Sequence, residues 1–169
     1  MKKLLKIIES NKASLGIRFA NLIIDRVVIF ALFFFFGLFS SFTYQLLNIE
    51  FFINITDTLA NLSKVQDIIL TSSVYFIYLL LMEYFTKGRT IGKYITGTKV
   101  ISTDGLEPTF QDYFIRNISR FVPFDAFSFF GENGWHDNWS DTRVINIKNY
   151  KAERQAKDDI NSLGTKDNF

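Results

Sequence analysis

The chain has 169 residues, of which 48% are hydrophobic and 20 are Phe, with a formal charge of only +2. So small a net charge leaves no electrostatic footprint for nucleic acid, and the apolar residues fall in runs too long for an ordinary soluble core. Cys is absent and His occurs once, which excludes a disulfide framework, a thiolate metal site and a paired-imidazole zinc motif, so no metal or other cofactor is expected.

Residues 1–14 set Lys2, Lys3, Lys6 and Lys12 beside Leu4, Leu5, Ile7 and Ile8, the pattern of a basic amphipathic helix lying on anionic lipid. Ser14 is placed to cap the helix that follows. From Val27 to Leu47 no charge occurs over 21 residues, which at 1.5 Å per residue covers roughly 30 Å, the hydrocarbon thickness of a bilayer. A second uncharged run, Ile68 to Met82, reaches Phe85 if Glu83 is accepted near its end. The expected spans are therefore about 15–47 and 68–85.

Charge at the flanks sets the orientation. Lys2, Lys3, Lys6, Lys12 and Arg18 precede the first run against Glu9 alone, and Lys87, Arg89, Lys93 and Lys99 follow the second with no acid among them. The segment between carries Glu50, Asp57 and Asp67 against Lys64. Basic flanks stay inside, so the expected setting is the bacterial plasma (inner) membrane, with N-terminus and C-terminus cytoplasmic. The apolar run is too long, and lacks the small-residue cleavage site, for a removable signal.

Beyond the second run, "TGTKVISTDG" reads as a strand entering a turn. Thr98-Lys99-Val100-Ile101 recurs almost unchanged as Thr142-Arg143-Val144-Ile145, which predicts a small cytoplasmic β-ribbon tying 95–103 to 141–147. Between them Phe110, Phe114, Ile118 and Phe121 form one stripe, and Asp112, Arg116 and Arg120 another. That places a helix over about 110–131 on the inner membrane surface, or dipping into it and returning, with a tilted third span as the alternative. Residues 148–169 are polar and mixed in charge, a mobile cytoplasmic tail. The fold class is thus an all-α membrane protein: two transmembrane helices, a third membrane-associated or re-entrant helix, and a small β-ribbon, within a membrane domain spanning 1–147.

Motifs for catalysis are missing. "GRTIGK" has three residues between its glycines where a phosphate-binding loop needs four, and Tyr94 follows the Lys. No Gly-x-Ser-x-Gly elbow occurs, and an enzyme is not expected. Two constellations remain. Arg18, Asn21 and Asp25 share one helical face, yet the two charges lie about 10 Å apart along the axis, so each needs a partner from another segment. Glu83 is at a compatible depth for Arg26 or Arg18. The simpler alternative is that these charges only fix helix depth at the headgroups. In "GWHDNWSDTRV", Trp135 and Trp139 flank His136 and Asp137 in a cluster suited to the membrane boundary. The His–carboxylate pair can pass protons, or the cluster is a structural turn anchored by tryptophans, which is the favoured reading.

Four stretches in this order, "GIRFANLIID", "GRTIGKYITGTKVISTDGLEPT", "IRNISRFVPFDAFSFF" and "GWHDNWSDTRVI", resemble the RDD family of small bacterial membrane proteins, named for one arginine and two aspartates. By that resemblance Arg18 and Asp25 take the first two positions, and the second aspartate falls on Asp137, with Asp125 as the alternative. The resemblance implies a role in transport, cation–proton exchange among those proposed for the family. The chain departs from longer members in its abbreviated third apolar segment. On this basis the expected function is a transport or ion-coupling component of the lipid bilayer. Asp25 would bind the ion or proton and Arg18 would tune it. Two or three helices cannot enclose a solute path, so a homo-oligomer or a partner membrane protein is implied. The alternative is a non-transporting scaffold or accessory subunit.

Overall fold

The structure is a computed structural model that describes residues 5–120 and 135–164. Its elements in chain order are α1 (Lys6–Ser10), α2 (Leu15–Leu47), α3 (Glu50–Ala60), α4 (Lys64–Phe85), α5 (Ile91–Thr96), β1 (Thr98–Ser102), α6 (Phe110–Ser119), α7 (Trp135–Trp139), β2 (Thr142–Asn146) and α8 (Ile147–Gly164). The described residues are mostly helical, with one two-stranded antiparallel sheet among them.

Capping residues fix where the long helices begin. Ser14 accepts from the Ile17 amide at the start of α2, and Ser63 with Gln66 forms a reciprocal capping box at the start of α4. The left-handed conformation of Asn48 (φ 51°) ends α2, as an Asn at a helix C-terminus commonly does. Both helices are long and apolar enough to cross a membrane, and only 11% of the most apolar stretch of α2 and 17% of that of α4 is buried. A core helix of a soluble protein would be buried, whereas here Phe30, Phe35, Leu46, Ile68 and Ile69 are all exposed.

The long helices meet through large side chains. Ile29 and Phe33 of α2 pack against Val74, Tyr75, Tyr78 and Leu79 of α4, and the Arg26 guanidinium lies 4.0 Å from the centre of the Tyr75 ring. At the far end α3 folds back on α2, with Phe39 edge-on to Phe52 and the Thr56 hydroxyl donating to Ser40 Oγ at 2.8 Å.

The near-copy segments pair as expected, with Val100 opposite Val144 and Ser102 opposite Thr142. Residues 11–13 run along the other edge of β2: Ala13 N–H donates to Val144 O at 2.8 Å and Asn146 N–H to Asn11 O at 2.9 Å. This brings Ala13, Val100, Tyr113 and Val144 into one small core, and Ile8, Ile101 and Ile145 into a second.

Several expectations change. The basic N-terminal segment is a single short helix, and its Ile8 is fully buried on the sheet; an apolar stripe demands a cover, and here β1 and β2 supply it. Residues 1–4 lie outside the described residues. Of the expected tail, 148–164 belong to helix α8 and are not free, since Ala, Glu, Gln, Lys and Arg in it are good helix formers; residues 165–169 lie outside the described residues. Glu153 fastens the helix by accepting from Asn11 Nδ2 at 2.6 Å and Ser10 Oγ at 3.0 Å. Helix α4 starts at Lys64, ahead of the apolar run, because its capping box lies there. The third helix is seen as α6, ending at Ser119; the part expected over 121–131 lies outside the described residues.

Candidate functional site: a buried polar junction at the sheet end of the long helices

Arg18, Asn21, Asp25 and Ile29 recur at helical spacing, and all four are buried. The cover they need comes mainly from the connection that leaves α4. Gly88, at φ +95°, turns the chain where an added Cβ would sit 2.5 Å from Val100 O. Thr90 caps α5, accepting from the Lys93 amide. Gly92 then presses on α2 so closely that a Cβ would meet Asn21 O at 2.6 Å. The glycines of "GRTIGK" therefore serve backbone approach.

That approach builds the Asp25 site. Its Oδ1 accepts from Tyr78 Oη and from the Gly92 amide, both at 2.9 Å, and its Oδ2 accepts from Thr90 Oγ1 at 2.7 Å. Asp25 is 2% exposed, and its donors are all neutral. Among the described residues no cation lies within ion-pair distance of this carboxylate. One turn earlier, Asn21 donates to Thr98 Oγ1 at 3.0 Å and accepts from Thr96 Oγ1 at 2.6 Å, binding α2 to β1.

Arg18 points elsewhere, which corrects the expectation that it tunes Asp25. Its Nη1 lies 3.3 Å from Asp137 Oδ2, and Arg116 pairs with the other oxygen of the same carboxylate. Arg116 also donates to Thr142 Oγ1 at 2.9 Å, and its Nε lies 3.6 Å from Glu83 Oε1. Glu83, fully buried, pairs with Lys93, accepts from Asn117 Nδ2 at 3.0 Å and faces Arg120 at 3.9 Å. Its expected partners Arg18 and Arg26 are not the ones it meets: Arg26 lies on Tyr75, and the closer cations arrive on α5 and α6. Burial pushes the Lys93 ammonium down to about 8, against the opposing pull of Glu83.

Arg18, Asp137, Arg116, Glu83 and Lys93 thus form one continuous chain of buried ion pairs through α2, α7, α6, α4 and α5. Such a chain contributes little net stability over apolar packing, but removing one member strands a buried charge at about 3–5 kcal/mol. Its effect is to fix one arrangement of five elements.

Of the residues singled out from sequence, Arg18, Asp25, Glu83 and Asp137 converge on this junction. Asp125 and the His136 side chain lie outside the described residues. Sequence reasoning missed Tyr78, Thr90, Gly92, Lys93, Arg116 and Asn117 as members. A signal existed for two of them: Thr90 before a short helical pattern is an N-cap, and Arg116 sits opposite the Phe110–Phe114–Ile118 stripe. That stripe is exposed, while Arg116 is 1% exposed. Asp112 does not share the fate of Arg116; it closes a capping box with Thr109.

The family model described as RDD family matches residues 12–141, and the chain belongs to the RDD family. No curated protein and no solved structure matches it.

Proposed function

We propose that this RDD-family chain is an integral protein of the bacterial plasma membrane in which Asp25 couples binding of a proton or small cation to transport. One observation carries the reading: a carboxylate on a membrane-spanning helix, 2% exposed, is surrounded by two hydroxyls and an amide but by no cation within ion-pair distance among the described residues. A buried carboxylate on a membrane-spanning helix marks a functional position. Its oxygens are ligands that suit a proton or a small cation.

The basic flanks support a cytoplasmic position for the sheet, α5 and α8, with the N-terminus and C-terminus on the same side. With 33 residues, α2 is about 50 Å long, more than the hydrocarbon layer needs, so its first turns stand at the inner surface where the junction encloses them. The exposed Phe110, Phe114 and Ile118 of α6 then lie in the inner leaflet. Two spans cannot wall off a polar path from lipid, so transport requires a homo-oligomer or a partner membrane protein.

Sodium and proton flux in proteoliposomes tests this. The wild type is expected to carry flux, and Asp25→Asn, checked for folding by near-UV circular dichroism, is expected to lose it. Equal flux in the two refutes the coupling role. Absence of flux in the wild type favours a scaffold or accessory subunit, a reading supported by the ion-pair chain that locks five elements together.

A further inference from the structure

Far from the junction, α2 and α4 leave a crevice of about 320 Å³ roofed by α3. The helices touch lower down through Ile29, Tyr75 and Leu79, and above that contact α3 contributes Thr56, Leu59 and Ala60 to the lining. Its walls are mainly apolar, with Phe33, Phe36, Leu59 and Leu70 among them. The volume is that of a small-molecule site, and such sites pair apolar walls with a few polar groups that orient the ligand.

The charged group here is acidic. Asp67, exposed to solvent, lines the crevice beside Thr56 and Thr71, and among the described residues its carboxylate receives a side-chain hydrogen bond only from Thr71, at 3.3 Å. Lys64, one turn earlier, does not pair with it, and the surrounding segment 48–67 holds Glu50, Asp57 and Asp67 against that single Lys. An anion is repelled from such a mouth, whereas a cationic head is drawn to it.

We propose that the crevice binds an amphiphile with an apolar chain and an ammonium head. The chain lies between α2 and α4 beneath α3, and the ammonium sits on Asp67. A membrane lipid with a primary amine headgroup and a soluble alkylamine share this chemistry. The assignment is independent of whether Asp25 couples ions.

Gly37 provides the clean variant. It lines the crevice, and a Cβ added there meets nothing within 4 Å, so Gly37→Leu enters the space without backbone conflict at its first carbon and favours the helix. The experiment uses the full chain in phosphatidylglycerol nanodiscs, labelled with a diazirine-bearing dodecylamine or the matching alcohol, and maps the labelled peptides. The amine is expected to label the α2, α3 and α4 walls. Asp67→Asn should reduce amine labelling about three- to fivefold, the worth of one exposed ion pair, and leave alcohol labelling unchanged. Gly37→Leu should abolish both. Doping the discs with phosphatidylethanolamine separates the sources: suppressed labelling assigns the site to the lipid, and undiminished labelling assigns it to the soluble amine. Amine labelling that is equal in wild type and Asp67→Asn, or that persists in Gly37→Leu, overturns the proposal.

Discussion

Between Arg18 and Ile29, α2 buries a guanidinium, an amide and a carboxylate against α4, α5, α7 and β1; between Ser40 and Thr43 it buries two hydroxyls under α3. The same helix is thus held in two chemically opposite ways. A buried charge must be enclosed by partners with correct geometry, so the sheet end tolerates one arrangement only. A hydroxyl is satisfied by one bond, often to its own helix: Thr43 donates to Ser40 O at 2.9 Å, and Thr56 has both Ser40 and its own Phe52 carbonyl. The far end can therefore remain loosely filled, and it is there that the crevice occurs.

Breaking each end measures the contrast. Asp137→Asn removes the carboxylate shared by Arg18 and Arg116, with an expected loss of about 3–5 kcal/mol in denaturant unfolding in detergent. Ser40→Ala at the far end leaves Thr56 bonded to Phe52 O and should cost about 1 kcal/mol or less. Equal losses would erase the distinction between the two ends.

Gly92→Ala sharpens the comparison at the Asp25 site. The added carbon must displace Asn21 O, 2.6 Å away, at about 1–3 kcal/mol, and it moves the amide that donates to Asp25. The melting temperature should fall, and with it any flux coupled through Asp25, whereas Gly37→Leu, at a position open to an added Cβ, should leave the melting temperature unchanged or raised.

The smallest expected effect is pH-dependent and lies outside both ends. Hydrogen bonds, first from Asn11 and then from Lys157 and Ser10, hold the Glu153 carboxyl below its ordinary value of 4.5. A carboxyl lowered in the folded state binds fewer protons there than when unfolded. Its contribution is therefore complete above about pH 4.5 and fades as the pH falls below that. Melting curves between about pH 3 and 5 should be flatter for Glu153→Gln than for the wild type.

How much of this was readable beforehand depended on whether the information was local. The seam of Arg18, Asn21 and Asp25 follows from helical spacing, and the β-ribbon follows from two near-identical tetrapeptides. Their partners do not follow, because periodicity reveals that a face is covered but not by what. Arg18 and Asp25 share a face, yet their partners arrive from α7 and from the α4–α5 connection. Depth alone allowed Glu83 to face Arg18 or Arg26; the choice of Lys93 depends on Gly92 letting α5 approach α2. The lysine-flanked N-terminus has the same pattern whether lipid or a sheet covers Ile8, and the polar tail concealed a helix because its charged residues favour helices.

The long separations within the junction also order its assembly. Asp25 meets Tyr78, Thr90 and Gly92 within 53 to 67 residues of its own synthesis, whereas Arg18 waits 119 residues for Asp137. At translation rates of about 5–20 residues per second, that interval is on the order of ten seconds. The carboxylate is therefore secured early and the guanidinium later, so the arginine of the first long helix stays unmatched while most of the chain is still being made.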